Sequence, residues 1–152
     1  MACFFLDSSA LVKRYVAEIG SAWVRGLTAR GTGHDLFLAR ITGVEVLSAL
    51  VRHVPPLPPT DLAYALAAFR HDLQNRFRLV AASQQVLNRA MRLALRHRLR
   101  GYDAVQLAAA LEASRRASAL GLPVPTVVSA DANLNAAAGS EGFVVDNPNL
   151  HP

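Results

Sequence analysis

The 152-residue chain is 52% hydrophobic and 18% charged, with a mean hydropathy of +0.23, a balance that supplies one core and excludes disorder. No apolar run approaches the roughly 20 residues of a spanning helix, and Asp7 cuts the apolar start short with no basic segment before it, so neither membrane anchor nor signal peptide is expected and the protein is read as cytoplasmic. The lone Cys3 excludes an internal disulfide or a cysteine zinc cluster, while a net charge of +5, all of it arginine apart from Lys13, suits a phosphate-bearing partner.

In chain order, residues 2–6 form an apolar strand, followed by short helices over 9–17 and 21–29 that Gly20 separates. A second strand spans 35–39 and a helix 42–53. Pro55, Pro56, Pro58 and Pro59 force an extended passage, after which Thr60 and Asp61 are cap-type residues for a helix to 75. Residues 77–81 read as a strand, and 84–98 and 102–119 as helices, the latter stopped by Gly121 and Pro123. A strand over 125–129, a helix over 132–138 and a last strand over 143–145 complete the series. Strands that are apolar throughout and alternate with helices predict an α/β fold, a parallel sheet with helices on both faces. No repeat or low-complexity segment divides residues 1–152, which are expected to form a single domain.

Four acidic residues carry the chemistry. Asp7 and Asp131 each follow a strand directly, and an open parallel sheet binds ligands beyond the carboxyl ends of its strands. Either aspartate, taken alone, is equally a helix N-cap. Glu45 lies among valines in the uncharged run between Arg40 and Arg52, where a carboxylate is costly without a partner or a cation. Asp103 opens a strongly apolar helix, where a negative charge also suits the helix end. Convergent carboxylates repel, and a divalent cation removes the conflict; an all-oxygen set points to magnesium or manganese, the ions of phosphodiester hydrolysis. His34, His53, His71, His97 and His151 are scattered without ligand spacing.

At the segments Leu6–Tyr15, the Glu45 helix, Leu99–Ala108 and Ser129–Asp131, with Gly142 and Phe143 beyond, the sequence resembles the PIN-domain nucleases, and within them the VapC toxins of type II toxin–antitoxin systems. The resemblance implies a three-layer α/β/α sandwich around a central, mostly parallel sheet of four to five strands. It implies that Asp7, Glu45, Asp103 and Asp131 are the catalytic, metal-binding acids of a magnesium- or manganese-dependent endoribonuclease, supported by hydrogen bonds from Ser9 and Ser129. Some relatives carry a further acid after the last aspartate; here Asn133 and Asn135 stand there, and Asn135 is placed with the supporting residues. The implied partners are an RNA substrate, a cognate VapB-like antitoxin and a second copy in a homodimer.

Arg89, Arg92, Arg96, Arg98 and Arg100 form a basic stripe leading to Asp103, equally readable as the solvated face of an amphipathic helix. Lys13, Arg14, Arg96 and Arg100 are the candidate RNA contacts. Relatives receive the antitoxin in a groove of N-terminal helices, which makes Leu11, Trp23 and Leu50 candidates for it, against a plain core role. A phosphoacceptor receiver domain is unlike this chain, because Ser8 rather than an acid follows Asp7 and the only lysine is Lys13. An RNA-processing PIN nuclease without a toxin role, and a catalytically weak RNA-binding or assembly module, are the alternatives.

Overall fold

A computed structural model describes residues Met1–Pro152. Five strands, β1 (Cys3–Leu6), β2 (Asp35–Ala39), β3 (Arg78–Val80), β4 (Thr126–Val128) and β5 (Val145–Asp146), lie in the order β3-β2-β1-β4-β5, and every pairing is parallel. The helices are α1 (Ser8–Leu11), α2 (Ser21–Leu27), α3 (Thr42–Val51), α4 (Pro59–Asn75), α5 (Gln84–His97), α6 (Gly101–Ala119) and α7 (Ala132–Ser140).

The two-residue period of the strands sorts their side chains into two cores. Cys3, Phe5, Phe37, Ala39 and Val127 face α5, α6 and α7; Leu6, Leu36, Leu38 and Val128 face α1, α3 and α4. This makes the α/β/α sandwich, and it explains why the strands read as apolar on both faces. Buried Ala104, Ala108, Ala109, Ala110, Ala113 and Ala117 keep one side of α6 thin, so its backbone lies close to the sheet. No helix is long and apolar enough to cross a membrane.

Among the boundaries that differ from expectation, three have a visible physical cause. The helix expected over 9–17 stops at Leu11 and tightens into a 3-10 turn, Val12–Arg14. Ser21 then turns the chain back, donating to the Val16 carbonyl and accepting from the Glu18 N–H. Helix α4 begins at Pro59 rather than at capping Thr60 and Asp61, since a proline in the first turn lacks an N–H that would go unpaired anyway. The last strand falls two residues late, because Phe143 is drawn into the core and donates its N–H to Ala138 O at the end of α7. At Gly20, φ is +84° and a Cβ would stand 2.2 Å from the Pro148 carbonyl oxygen, so only glycine lets the C-terminal turn Pro148–Leu150 close against α2.

Candidate active site

Parallel pairing of β1 with β4 sets Leu6 beside Val128, so the residues that follow both strands emerge at one edge of the sheet. The Asp7 N–H donates to Val128 O at 3.1 Å. Its carboxylate caps α1, accepting from Ala10 N at 3.2 Å and from Ser9 Oγ at 2.8 and 3.0 Å. Ser9 Oγ in turn accepts from Ala130 N at 2.9 Å and lies 3.4 Å from Ser129 Oγ, which ties the two strand ends together. Asp131 caps α7 by accepting from Leu134 N at 2.8 Å, and its own N–H donates to Ser129 Oγ at 3.0 Å. Asn135 holds this turn from behind through Nδ2 to Ser129 O at 2.8 Å. Ser9, Ser129 and Asn135, expected as supports of the site, thus all bond within the two turns that carry Asp7 and Asp131.

Helices bring the other two acids to the same place. Glu45, in the first turn of α3, accepts from Gln106 Nε2 at 2.6 Å; Gln106 also donates to Thr42 Oγ1 at 2.8 Å. Asp103 lies in the first turn of α6, one turn before Gln106. Arg100 stands 3.7 Å from Asp103 Oδ2 and 3.6 Å from Asp131 Oδ2, an exposed cation shared by two carboxylates.

The electrostatics couple all four. Burial pushes the Asp7 carboxyl up to about 7, against the bonds from Ser9, Ala10 and Ser129 and with a further push from Glu45. Glu45 is raised by burial, opposed by Gln106 and Ser8 and reinforced by Asp103. Asp103 is raised by burial and by Asp131, with Arg100 pulling the other way. Glu45 thus opposes the ionisation of Asp7, Asp103 that of Glu45, and Asp131 that of Asp103.

No group of three or more of these side chains stands close enough to share one ion without adjustment. The donor set nevertheless fits a hard divalent cation: it is all oxygen, and Asp7 is buried with no cation of the protein's own. Gln106 Oε1 and Asn135 Oδ1 are likewise buried without a hydrogen-bond partner beside the carboxylates.

Several sequence-based assignments are corrected. Lys13 is not at the mouth of the site; it is buried, and its Nζ pairs with Glu18 Oε2 at 3.1 Å. Arg14 is occupied by Asp72, Nε to Oδ2 at 2.9 Å, and by Thr28 Oγ1 at 3.0 Å. The 3-10 turn causes both, by rotating these residues inward from where a continuing helix would carry them. Leu11 and Leu50 are fully buried in the second core and offer no groove surface, while half-buried Trp23 stacks on His151 at 4.2 Å between ring centroids. Arg96 is exposed but pairs with Glu141 at 2.9 Å; Arg100 alone of the candidate RNA contacts touches the acids. Sequence reasoning missed Gln106, whose signal was a polar side chain one turn after Asp103 in an alanine-rich helix.

The family model of the PIN domain matches residues 4–140. A toxin–antitoxin complex from Klebsiella pneumoniae contains a chain that superposes with a TM-score of 0.61 at 16% identity, covering 95% of this chain and 97% of that one. A Pyrobaculum aerophilum protein of known crystal structure superposes with a TM-score of 0.59 at 22% identity, covering 95% and 83% respectively. No curated protein matches by sequence.

Proposed function

We propose that this chain, which belongs to the PIN domain family, is a magnesium- or manganese-dependent endoribonuclease and the toxin of a toxin–antitoxin pair. PIN domains are generally nucleases, and the observation that carries the reading here is Asp7: a buried carboxylate without a cation, coupled to Glu45 and through it to Asp103 and Asp131.

Asp7, Glu45, Asp103 and Asp131 would hold the metal, with the Gln106 and Asn135 amide oxygens close behind. When bound, a divalent cation polarises a phosphoryl oxygen and lowers the pKa of a coordinated water. The chain's own contribution is orientation. Ser9 fixes the Asp7 carboxylate and the turn before Asp131, so the two carboxylates move as one unit. Gln106 sets the Glu45 rotamer from α6, which links its position to that of Asp103. Arg100 offers the cluster's edge a positive charge for a phosphate.

The toxin role draws support from the similar Klebsiella pneumoniae structure, which is a toxin–antitoxin complex. A cognate VapB-like antitoxin is therefore the partner to seek. The test is cleavage of a single-stranded RNA in Mg2+ or Mn2+ by the wild type beside Asp7→Asn and Asp103→Asn. The wild type should cut, and each variant should lose at least about a hundredfold in rate while remaining folded. Wild-type rates in both variants would sink the assignment.

A further inference from the structure

A cleft of about 530 Å³ opens beside Glu45, between α3 and the first turn of α6. Val44, Glu45, Ser48 and Ala49 form its α3 wall, Arg52 lines it from the cap position just past the end of α3, and Tyr102 closes it from α6. Val44 and Ser48 lie one turn apart on α3 and Arg52 caps the helix a turn further on, so the wall offers an apolar group, a hydroxyl and a cation in succession, beginning next to an acid of the cluster. Arg52 is exposed, and none of the chain's ion pairs uses it, in contrast to Lys13 and Arg14. Tyr102 directly precedes Asp103 and is 57% exposed, a large aromatic surface that the fold leaves in water at the mouth of the site.

From this juxtaposition we infer that the cleft is a nucleotide subsite, in which an unpaired base of single-stranded RNA stacks on Tyr102 and an adjoining phosphate meets Arg52. The inference rests on the nuclease reading and extends it to how substrate is held. The volume lies within the range of small-ligand sites. An aromatic face suits any base, whereas the bases of a duplex are already stacked and present only their edges. A phosphate requires a cation on a wall that otherwise begins with Glu45, and Arg52 supplies it at the far end. Tyr102 and Arg52 are thus positioning residues, and the bond cleaved is set by where the stacked base locks the strand relative to the carboxylates.

The test uses a short single-stranded RNA carrying the fluorescent base 2-aminopurine, bound by full-length Asp7→Asn protein, which cannot consume it. Binding should quench the fluorescence by stacking. Adding Tyr102→Ala should remove the quench and weaken binding at least about fivefold, while Tyr102→Phe, which keeps the ring, should preserve both. Adding Arg52→Gln should weaken binding and reduce the salt dependence by about one phosphate contact. In the cleaving protein, Tyr102→Ala should raise KM by more than it lowers kcat and blur the cleavage position. Because Tyr102 is exposed, its variants should melt with the parent. RNA bound by Tyr102→Ala as tightly as by Tyr102→Phe, or a quench that survives loss of the ring, overturns the assignment and leaves the cleft to a protein partner. Failure of cleavage by the wild type with a Tyr102-dependent quench intact counts against the nuclease reading, and against that alone.

Discussion

Asp7 and Asp72 are buried almost equally, at 3% and 5% exposure, yet their surroundings push ionisation in opposite directions. Burial raises both. At Asp72 that rise is overcome by bonds from Arg14 Nε at 2.9 Å and the Tyr15 hydroxyl at 2.8 Å, with the charges of Arg14 and Arg76 behind them, and the carboxyl is held below its usual range. At Asp7 the partners are hydroxyls and a backbone N–H, and the carboxyl rises to about 7. Arg14, Asp72 and Arg76 clamp the 3-10 turn to α4, a structural task that the fold completes with its own cations. The strand edge is left with acids in excess. A carboxylate whose charge the fold does not compensate is where an external cation belongs.

The contrast can be broken by truncation, and the largest effect falls on stability. Asp72→Ala leaves Arg14 and Arg76 half-buried without a counter-charge and should cost about 3–5 kcal/mol in urea unfolding. Asp7→Asn should do the reverse: at pH 8, without metal, it removes a buried charge and should stabilise the protein by about 1–3 kcal/mol while abolishing cleavage. A destabilised Asp7→Asn would show that the Asp7 charge is already compensated.

The two aspartates should also give opposite pH profiles of stability. Asp7 has a folded pKa raised to about 7, so the folded state holds its proton longer than the unfolded one. Metal-free wild type should therefore lose stability as pH rises from about 4 to 7, and Asp7→Asn should flatten that slope. Asp72 acts oppositely: its contribution is present above the ordinary carboxylate range and is lost as pH falls below it. The smallest effect is expected at Gln106. In Gln106→Met the lost bonds to Thr42 and Glu45 are offset by removal of the unpartnered Oε1, so stability should change by less than about 1 kcal/mol, while cleavage falls about tenfold as Glu45 loses its orientation.

The sheet was legible because its strands are local and their pattern is simple. The expected strand over 35–39 coincides with β2, and the apolar character of Cys3–Leu6 and Thr126–Val128 on both faces follows from helices covering each side. Asp7 and Asp131 were legible for the same reason, as the first residues past paired strands. Asp72 was not: its partners Arg14 and Tyr15 lie 58 and 57 residues away, and no local pattern announces them. Lys13 was misplaced because an α-helix was extrapolated through Val12–Arg14, where the chain tightens into a 3-10 turn. Leu11 and Leu50 were offered to a partner although the second face of the sheet needed them as cover. The cleft at Tyr102 depends on two helices meeting, and sequence alone does not show that Arg52 faces it.

Whether Asp7 anchors a site for a divalent cation is decided by calorimetric titration of metal-free protein with Mn2+ near neutral pH, in buffers of different ionisation enthalpy. The wild type should bind Mn2+ with release of a fraction of a proton, because the cation ionises the raised Asp7 carboxyl, and Asp7→Asn should bind at least about tenfold more weakly without that release. Absence of Mn2+ binding by the wild type, or equal binding and proton release by Asp7→Asn, would contradict it.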